Sequence, residues 1–292
     1  MTDFLQLTFS GLAVGAIYAL VAIGFTLLWQ TSGTINFAQG EFVMLPAFFM
    51  LAGLKLFGFG LAPAFVLSVG VSMILQGAAY KHGVVDPMLK HGVLPMVVAS
   101  LGLSIALKNL VKATGGAEAH SFPAVFADKI FNIGGVTVTL ADLGTLAVCA
   151  VVIGALWWML NRTLTGQAMQ AVAQNRETAA VLGIDVQKMV LYAFAANAAL
   201  AAVAALLVTP SYLAKFDMGD GLGMKAFFAA IIGGFNQVQG ALLGGLLVGV
   251  LENLAAAYIS PAYKDAIALV LFIAVIIVKP EGLLGRQEAR KV

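Results

Sequence analysis

Two runs of the chain gather hydrogen-bonding side chains where their surroundings are almost wholly apolar: Asn36-Phe37-Ala38-Gln39-Gly40-Glu41, and Gly233-Gly234-Phe235-Asn236-Gln237-Val238-Gln239-Gly240. Polar groups are costly inside a membrane and are functional hypotheses by default. Each run sets amides and a glycine at a helix start, where unpaired backbone N–H groups point outward and favour an anionic group. Capping of helices at the membrane surface is the structural alternative for Asn36 and Gln39. Phe37, Phe42, Phe227 and Phe235 flank the amides as candidate gates, since an apolar constriction dewets when empty while amides offer hydrogen bonds at its ends. These four aromatics, with Asn36, Gln39, Glu41, Asn236 and Gln237, form the expected translocation path. Glu41 and Glu252 suit a proton relay or a solute contact, and equally a carboxylate paired with lysine or held at a helix start. No nucleophile–base–orienter triad and no GxxxxGK[ST] loop occurs, so no catalytic residue and no ATP hydrolysis are expected of this chain. His82, His91 and His120 lie outside the apolar runs without ligand spacing and Cys149 stands alone, so no metal site and no internal disulfide are expected.

The elements that must carry these residues are membrane helices. Of 292 residues 61% are hydrophobic and 10% charged, whereas a soluble domain carries about 25% charged residues. The net charge of +2 comes without a basic stripe interleaved with aromatics, so nucleic acid is not an expected partner. Runs long enough to cross a bilayer fall near 4–29, 41–57, 60–80, 92–112, 141–160, 189–210, 238–258 and 264–279. Ala226–Phe235 is too short for a regular crossing, and Gly219, Gly221 and Gly223 before it predict a half-helix with an unwound lead-in. The expectation is an all-α polytopic protein of about 8 transmembrane helices plus a half-helix, in a single domain over 1–292. The small residues Gly11, Gly15 and Ala19, and Gly240, Gly244, Gly245 and Gly249, stand in close-packing registers. The two amide runs are faintly alike, as in transporters built from two related halves.

All four arginines, Arg162, Arg176, Arg286 and Arg290, fall in the central loop or the C-terminal tail, which places both in the cytoplasm. Nine crossings then put the N-terminus outside. Lys81 and Lys90 are read into a further cytoplasmic loop, 81–91. Residues 113–140 form the longest external segment, in which Lys129–Ile133 and Val136–Leu140 around Gly134-Gly135 predict a small β-hairpin.

The cytoplasmic loop 161–188 is the one long polar interruption. Ala168, Ala171, Val172, Ala179 and Leu182 recur at helical spacing within it. Thr165 is expected to cap a first short helix and Asn175 a second, with Glu177 in its first turn and Gly183 as its stop. Together with Gly166 these residues are the candidate face for docking a soluble partner.

Asn36–Glu41, the loop Gly166–Ile184, the Gly-Gly before Asn236 and the ending Lys279-Pro-Glu-Gly-Leu-Leu-Gly285 occur in that order and together resemble the LivH-type permease of branched-chain amino acid ABC importers, over essentially the whole chain. The resemblance implies a multi-pass protein of the bacterial inner membrane with a cytoplasmic C-terminus. It further implies a second, homologous permease in a heterodimer, two ATP-binding subunits and a periplasmic substrate-binding protein. Loop 161–188 would be the coupling element in an ATPase cleft, and 113–140 would be periplasmic. ATP and magnesium would sit on the partner subunits, with no cofactor bound by this chain. Gln39 stands where the family commonly carries His, and Gln167 and Gln170 where it carries basic residues. An ABC permease for urea, a short amide or an aromatic acid, or an ion-coupled carrier using Glu41 and Glu252, is the alternative.

Overall fold

The computed structural model describes residues 2–285; Arg286 and Arg290, used above to orient the tail, lie outside them. Helix α1 (Thr2–Ser32) is followed by α2 (Gln39–Leu56), α3 (Leu61–Leu89), α4 (Val93–Gly115), strands β1 (Ile130–Ile133) and β2 (Val136–Thr139), and α5 (Leu140–Arg162). Then come the short α6 (Leu164–Gln174) and α7 (Arg176–Val181), and the long α8 (Val186–Tyr212), α9 (Met218–Gly233), α10 (Val238–Tyr258) and α11 (Lys264–Val278). Among the described residues 8 helices are long and apolar enough to cross a membrane. Their enclosure differs widely. In α1, 89% of the most apolar window is buried within the protein, against 6% for Pro261–Val278.

The residues sort into two compact units, each assembled from separate stretches of chain: one holds those up to Thr26, Phe126–Cys149 and from Met224 onward, the other Leu27–Val125 and Ala150–Gly223. In the first unit the small residues act as their spacing predicts. A Cβ on Gly245 would lie 2.5 Å from the Ala19 nitrogen, and one on Gly249 2.3 Å from the Gly15 Cα, so α1 and α10 meet at backbone contact. The hairpin also forms as expected, with Ile130 opposite Thr139 and Ile133 opposite Val136. Its turn is Gly134-Gly135 with φ of 62° and 87°, the left-handed pair that a two-residue turn between twisted strands requires.

Two expectations are corrected in the second unit. The glycines before Ala226 are not an unwound lead-in: Gly219, Gly221 and Gly223 lie inside α9. Gly219 and Gly223 are used for close approach to Gly40, since a Cβ on Gly219 would fall 2.3 Å from the Gly40 carbonyl oxygen. At 16 residues α9 spans about 24 Å, still short of the roughly 30 Å hydrocarbon layer. Nor is 81–91 a loop. Helix α3 continues to Leu89 through π-helical stretches at Met73–Ala79 and Lys81–Val85. Lys81 is buried on it, its Nζ 2.9 Å from Asp86 Oδ2 and 2.7 Å from Gln187 Oε1, and this pairing across five residues suits the wider π turn. His82 lies on the same extension, 2.9 Å from the Asp86 carboxylate.

Candidate functional site

Helix α1 ends where Gly33 takes φ 62°, and six residues on, at Gln39, the chain re-enters as α2. The break is filled by side chains from three other helices. Asn36 Oδ1 accepts from the Ala38 N–H at 3.0 Å, which turns the chain, and from the Tyr80 hydroxyl of α3 at 3.0 Å. Gln39 and Asn197 of α8 face each other as paired amides: Gln39 Nε2 donates to Asn197 Oδ1 at 2.6 Å and Asn197 Nδ2 donates back to Gln39 Oε1 at 3.0 Å. The Phe37 N–H donates to Ser100 Oγ of α4 at 3.1 Å. Asn36, Gln39, Ser100 and Asn197 are all buried. The amides of the first run are thus not surface caps; they tie the break to α3 and α8.

Glu41 lies in the first turn of α2, where its carboxylate meets the helix's free N–H groups. It is buried, with the Ser104 hydroxyl as a hydrogen-bond partner, and the charges of Asp220 and Lys108 act on it with opposite sign. Lys108 and Asp220 pair with each other at 2.6 Å. Phe42 is fully enclosed, its ring edge-on to Tyr80 at 5.0 Å, and Tyr80 in turn meets Phe194 at 5.8 Å.

The second run lies in the other unit. Gly233 and Gly240 touch backbone to backbone, and Phe227 meets Phe235 at 6.1 Å and Phe25 at 5.7 Å. Asn236 is exposed and Gln237 half-buried at the start of α10, where its side chain makes no cap. This run is therefore unlike the first, whose amides are enclosed. A role for the ending Lys279–Gly285 also emerges: the Leu283 and Leu284 N–H groups donate to the Ile232 and Gly233 carbonyls at 2.8 and 3.0 Å, closing the C-terminal end of α9, whose last carbonyls lack helical donors. Glu252, singled out from the sequence, is bound on one oxygen by Lys225 at 2.6 Å and by Lys264 at 3.1 Å, and Lys225 reaches Asp265 at 2.8 Å.

In the central element, Thr163 and not Thr165 caps α6, accepting from the Gly166 N–H at 3.0 Å; Thr165 is one residue inside the helix. The correction follows from α5 running to Arg162, which leaves Thr163 as the one non-helical residue. Asn175 caps α7 through the Thr178 N–H at 2.9 Å, and Gly183 at φ 83° stops it, with the Ile184 N–H returning to the Ala179 carbonyl at 3.0 Å. Asp185 starts α8. The Lys188 N–H and ammonium hold its carboxyl below the usual carboxylate range.

The expected alanine-lined outer face is also corrected. Ala179 is buried, as are Gly166, Met169 and Val172, and Ala168 and Ala171 are half-buried. A Cβ on Gly166 would lie 2.1 Å from the Met159 carbonyl oxygen, so this stripe packs α6 back onto the end of α5. What faces outward is Leu164 at 86%, Val181 at 88% and Leu182 at 73% exposure, with Glu177. Arg176 turns inward and donates to the Thr31 carbonyl at the end of α1, a favourable place for a cation; burial draws its pKa below the usual arginine value.

Sequence reasoning missed Tyr80, Ser100, Asn197, Lys225 and Arg176 as participants. Asn197 was the most accessible, being a lone amide within an apolar run, the same signal that selected Asn36.

The family model described as "Branched-chain amino acid transport system / permease component" matches residues 7–276. The high-affinity branched-chain amino acid transport system permease protein LivH of Salmonella typhimurium is 33% identical over 302 residues, covering 99% of this chain and 98% of that protein. BraD of Pseudomonas aeruginosa, which bears the same description, is 33% identical over 303 residues with the same coverage. A solved structure, PsaBC from Streptococcus pneumoniae in complex with Fab, superposes with a TM-score of 0.51 at 13% identity over 95% of this chain and 92% of that one, a likeness of fold.

Proposed function

Since this chain belongs to the family of branched-chain amino acid transport permeases, we propose that it passes a branched-chain or related hydrophobic amino acid across the bacterial inner membrane, driven by ATP hydrolysis on two separate subunits. A second, homologous permease completes the pore and a periplasmic binding protein delivers the solute. ATP and magnesium belong to the ATPases. The N-terminus and the hairpin lie outside, a reading supported by the 3.4 Å approach of Thr2 to the Cβ position of Gly135. The C-terminus lies in the cytoplasm.

The observation that carries the ATP-driven reading is the α6–α7 element: two helices capped at Thr163 and Asn175, seated on the protein by their inner face and showing Leu164, Val181 and Leu182 outward. Exposed leucines and valine on a rigid, locally capped element suit insertion into a partner's cleft. Glu252, held between two ammonium groups, and Glu41, at a helix start, serve structure in this reading. The test is leucine uptake into vesicles bearing the copurified complex, with ATP supplied and the proton gradient collapsed. Uptake by the unsubstituted protein, and in substantial part by Glu41→Gln, is the expected result; uptake that vanishes with the gradient would establish a secondary carrier instead.

Arg176 links the docking element to the amide site, because the carbonyl it holds at Thr31 precedes Asn36 by only five residues. Arg176→Ala is expected to leave ATP hydrolysis by the complex within about twofold while uptake per ATP falls roughly tenfold, as a guanidinium hydrogen bond worth about 1.5–3 kcal/mol is lost at the junction. An unchanged ratio of solute moved to ATP consumed would show that the docking signal reaches the site by another route.

A further inference from the structure

One face of α3 carries Ser68, Ser72, Gln76 and Tyr80 at intervals of four residues, and all are buried. The interval keeps them on one side of the helix. The end members have partners: Ser68 Oγ donates to the Pro46 carbonyl at 2.8 Å and the Tyr80 hydroxyl to Asn36 Oδ1 at 3.0 Å. Between them, Ser72 Oγ and both amide atoms of Gln76 have no hydrogen-bond partner among the described residues, and neither does Asn36 Nδ2 at the Tyr80 end. On the facing helix Pro46 supplies no N–H to the Phe42 carbonyl one turn earlier. Buried polar atoms left unpaired cost stability, and four in one seam are more than packing explains. The seam also coincides with the π-helical stretch Met73–Ala79, a distortion frequent at functional sites.

We propose that this seam, Ser72–Gln76–Asn36, binds the zwitterionic head of the transported solute during passage, an inference that rests on the transport reading above. The amide N–H groups of Gln76 and Asn36 and the Ser72 hydroxyl supply donors for a carboxylate. Gln76 Oε1 supplies an acceptor for an ammonium group. None of the four stripe residues is charged, and the neighbouring Lys81 is engaged by Asp86 and Gln187, so the seam matches a head group of zero net charge. The rings of Phe42, Tyr80 and Phe194 form an apolar wall beside it for the solute's side chain.

The test separates binding from packing, because the two predict opposite signs for stability. Gln76→Leu removes two unpaired atoms at similar volume, so the thermal midpoint of the complex should hold or rise while ATP-dependent leucine uptake falls at least tenfold. Ser72→Ala should lower uptake about threefold with its midpoint unchanged, and maleimide labelling of Gln76→Cys should slow in saturating leucine. Gln76→Leu with full uptake overturns the inference and leaves ordered water as the seam's occupant. A midpoint that drops together with uptake also overturns it, identifying a structural amide, and so does labelling that leucine leaves unaltered. Absence of leucine uptake by the unsubstituted complex overturns the transport reading itself, and this inference with it.

Discussion

Replacing Gly40 by valine is expected to reduce uptake to background and to lower the thermal midpoint of the complex sharply. Gly40 sits in the first turn of α2, between the amide pair and Glu41, and meets α9 with no side chain on either side. A Cβ there would lie 2.3 Å from the Gly219 carbonyl oxygen and 2.8 Å from its carbonyl carbon. Both obstacles are backbone, and the reciprocal contact at Gly219 is equally tight, so no rotamer change relieves the clash. Forcing extra carbons into a packed site costs about 1–3 kcal/mol even where neighbours can yield, and here they cannot without separating α2 from α9. Gly70→Val is the control: among the described residues a Cβ at Gly70 of α3 would meet nothing within 4 Å, and valine's helix propensity improves on glycine's. Uptake by Gly40→Val above half that of the Gly70→Val control would show that the α2–α9 contact is dispensable.

The second large effect is expected at the amide pair. Gln39→Leu or Asn197→Leu alone leaves the other carboxamide buried and stripped of two hydrogen bonds of 2.6 and 3.0 Å, a loss of about 1–3 kcal/mol. Each single variant should be less stable and transport poorly. The double variant Gln39→Leu/Asn197→Leu removes both polar groups, and replacing both partners by apolar groups of similar shape is close to neutral. Its thermal midpoint should therefore return to near that of the unsubstituted protein. Uptake should stay at least tenfold down, because the path proposed above runs beside the pair, at Asn36 and Glu41, and would lose polar lining there. Recovery of stability and uptake together would assign the pair to helix packing alone.

Much of this protein was legible in the order of its residues. The spans, the hairpin at Gly134-Gly135, the close-packing register of Gly245 and Gly249, the cap at Asn175 and the stop at Gly183 depend on local chemistry: hydropathy over 20 residues, a left-handed turn, a missing Cβ, a side chain within reach of its own backbone. The same local reasoning picked out Asn36, Gln39, Glu41 and Glu252, because a polar group in an apolar run stands out without knowledge of its neighbours.

What surrounds those groups is a tertiary matter. The partner of Gln39 lies 158 residues away at Asn197, and no local signal pairs one amide with another at that separation. The glycines before Ala226 look like an unwound segment in sequence and are helical in the fold, because an absent side chain serves close approach as well as it serves unwinding and only the neighbour, Gly40, decides which. Helical spacing put Ala168, Ala171, Val172, Ala179 and Leu182 on one outward docking face, whereas in the fold Val172 and Ala179 turn inward and Leu182 stays outward. A small-residue stripe suits both directions, and the direction was set by the end of α5, whose Met159 carbonyl leaves no room for more than a hydrogen at Gly166. Periodicity fixes the face of a helix; which face meets the protein depends on the angle at which distant helices cross it.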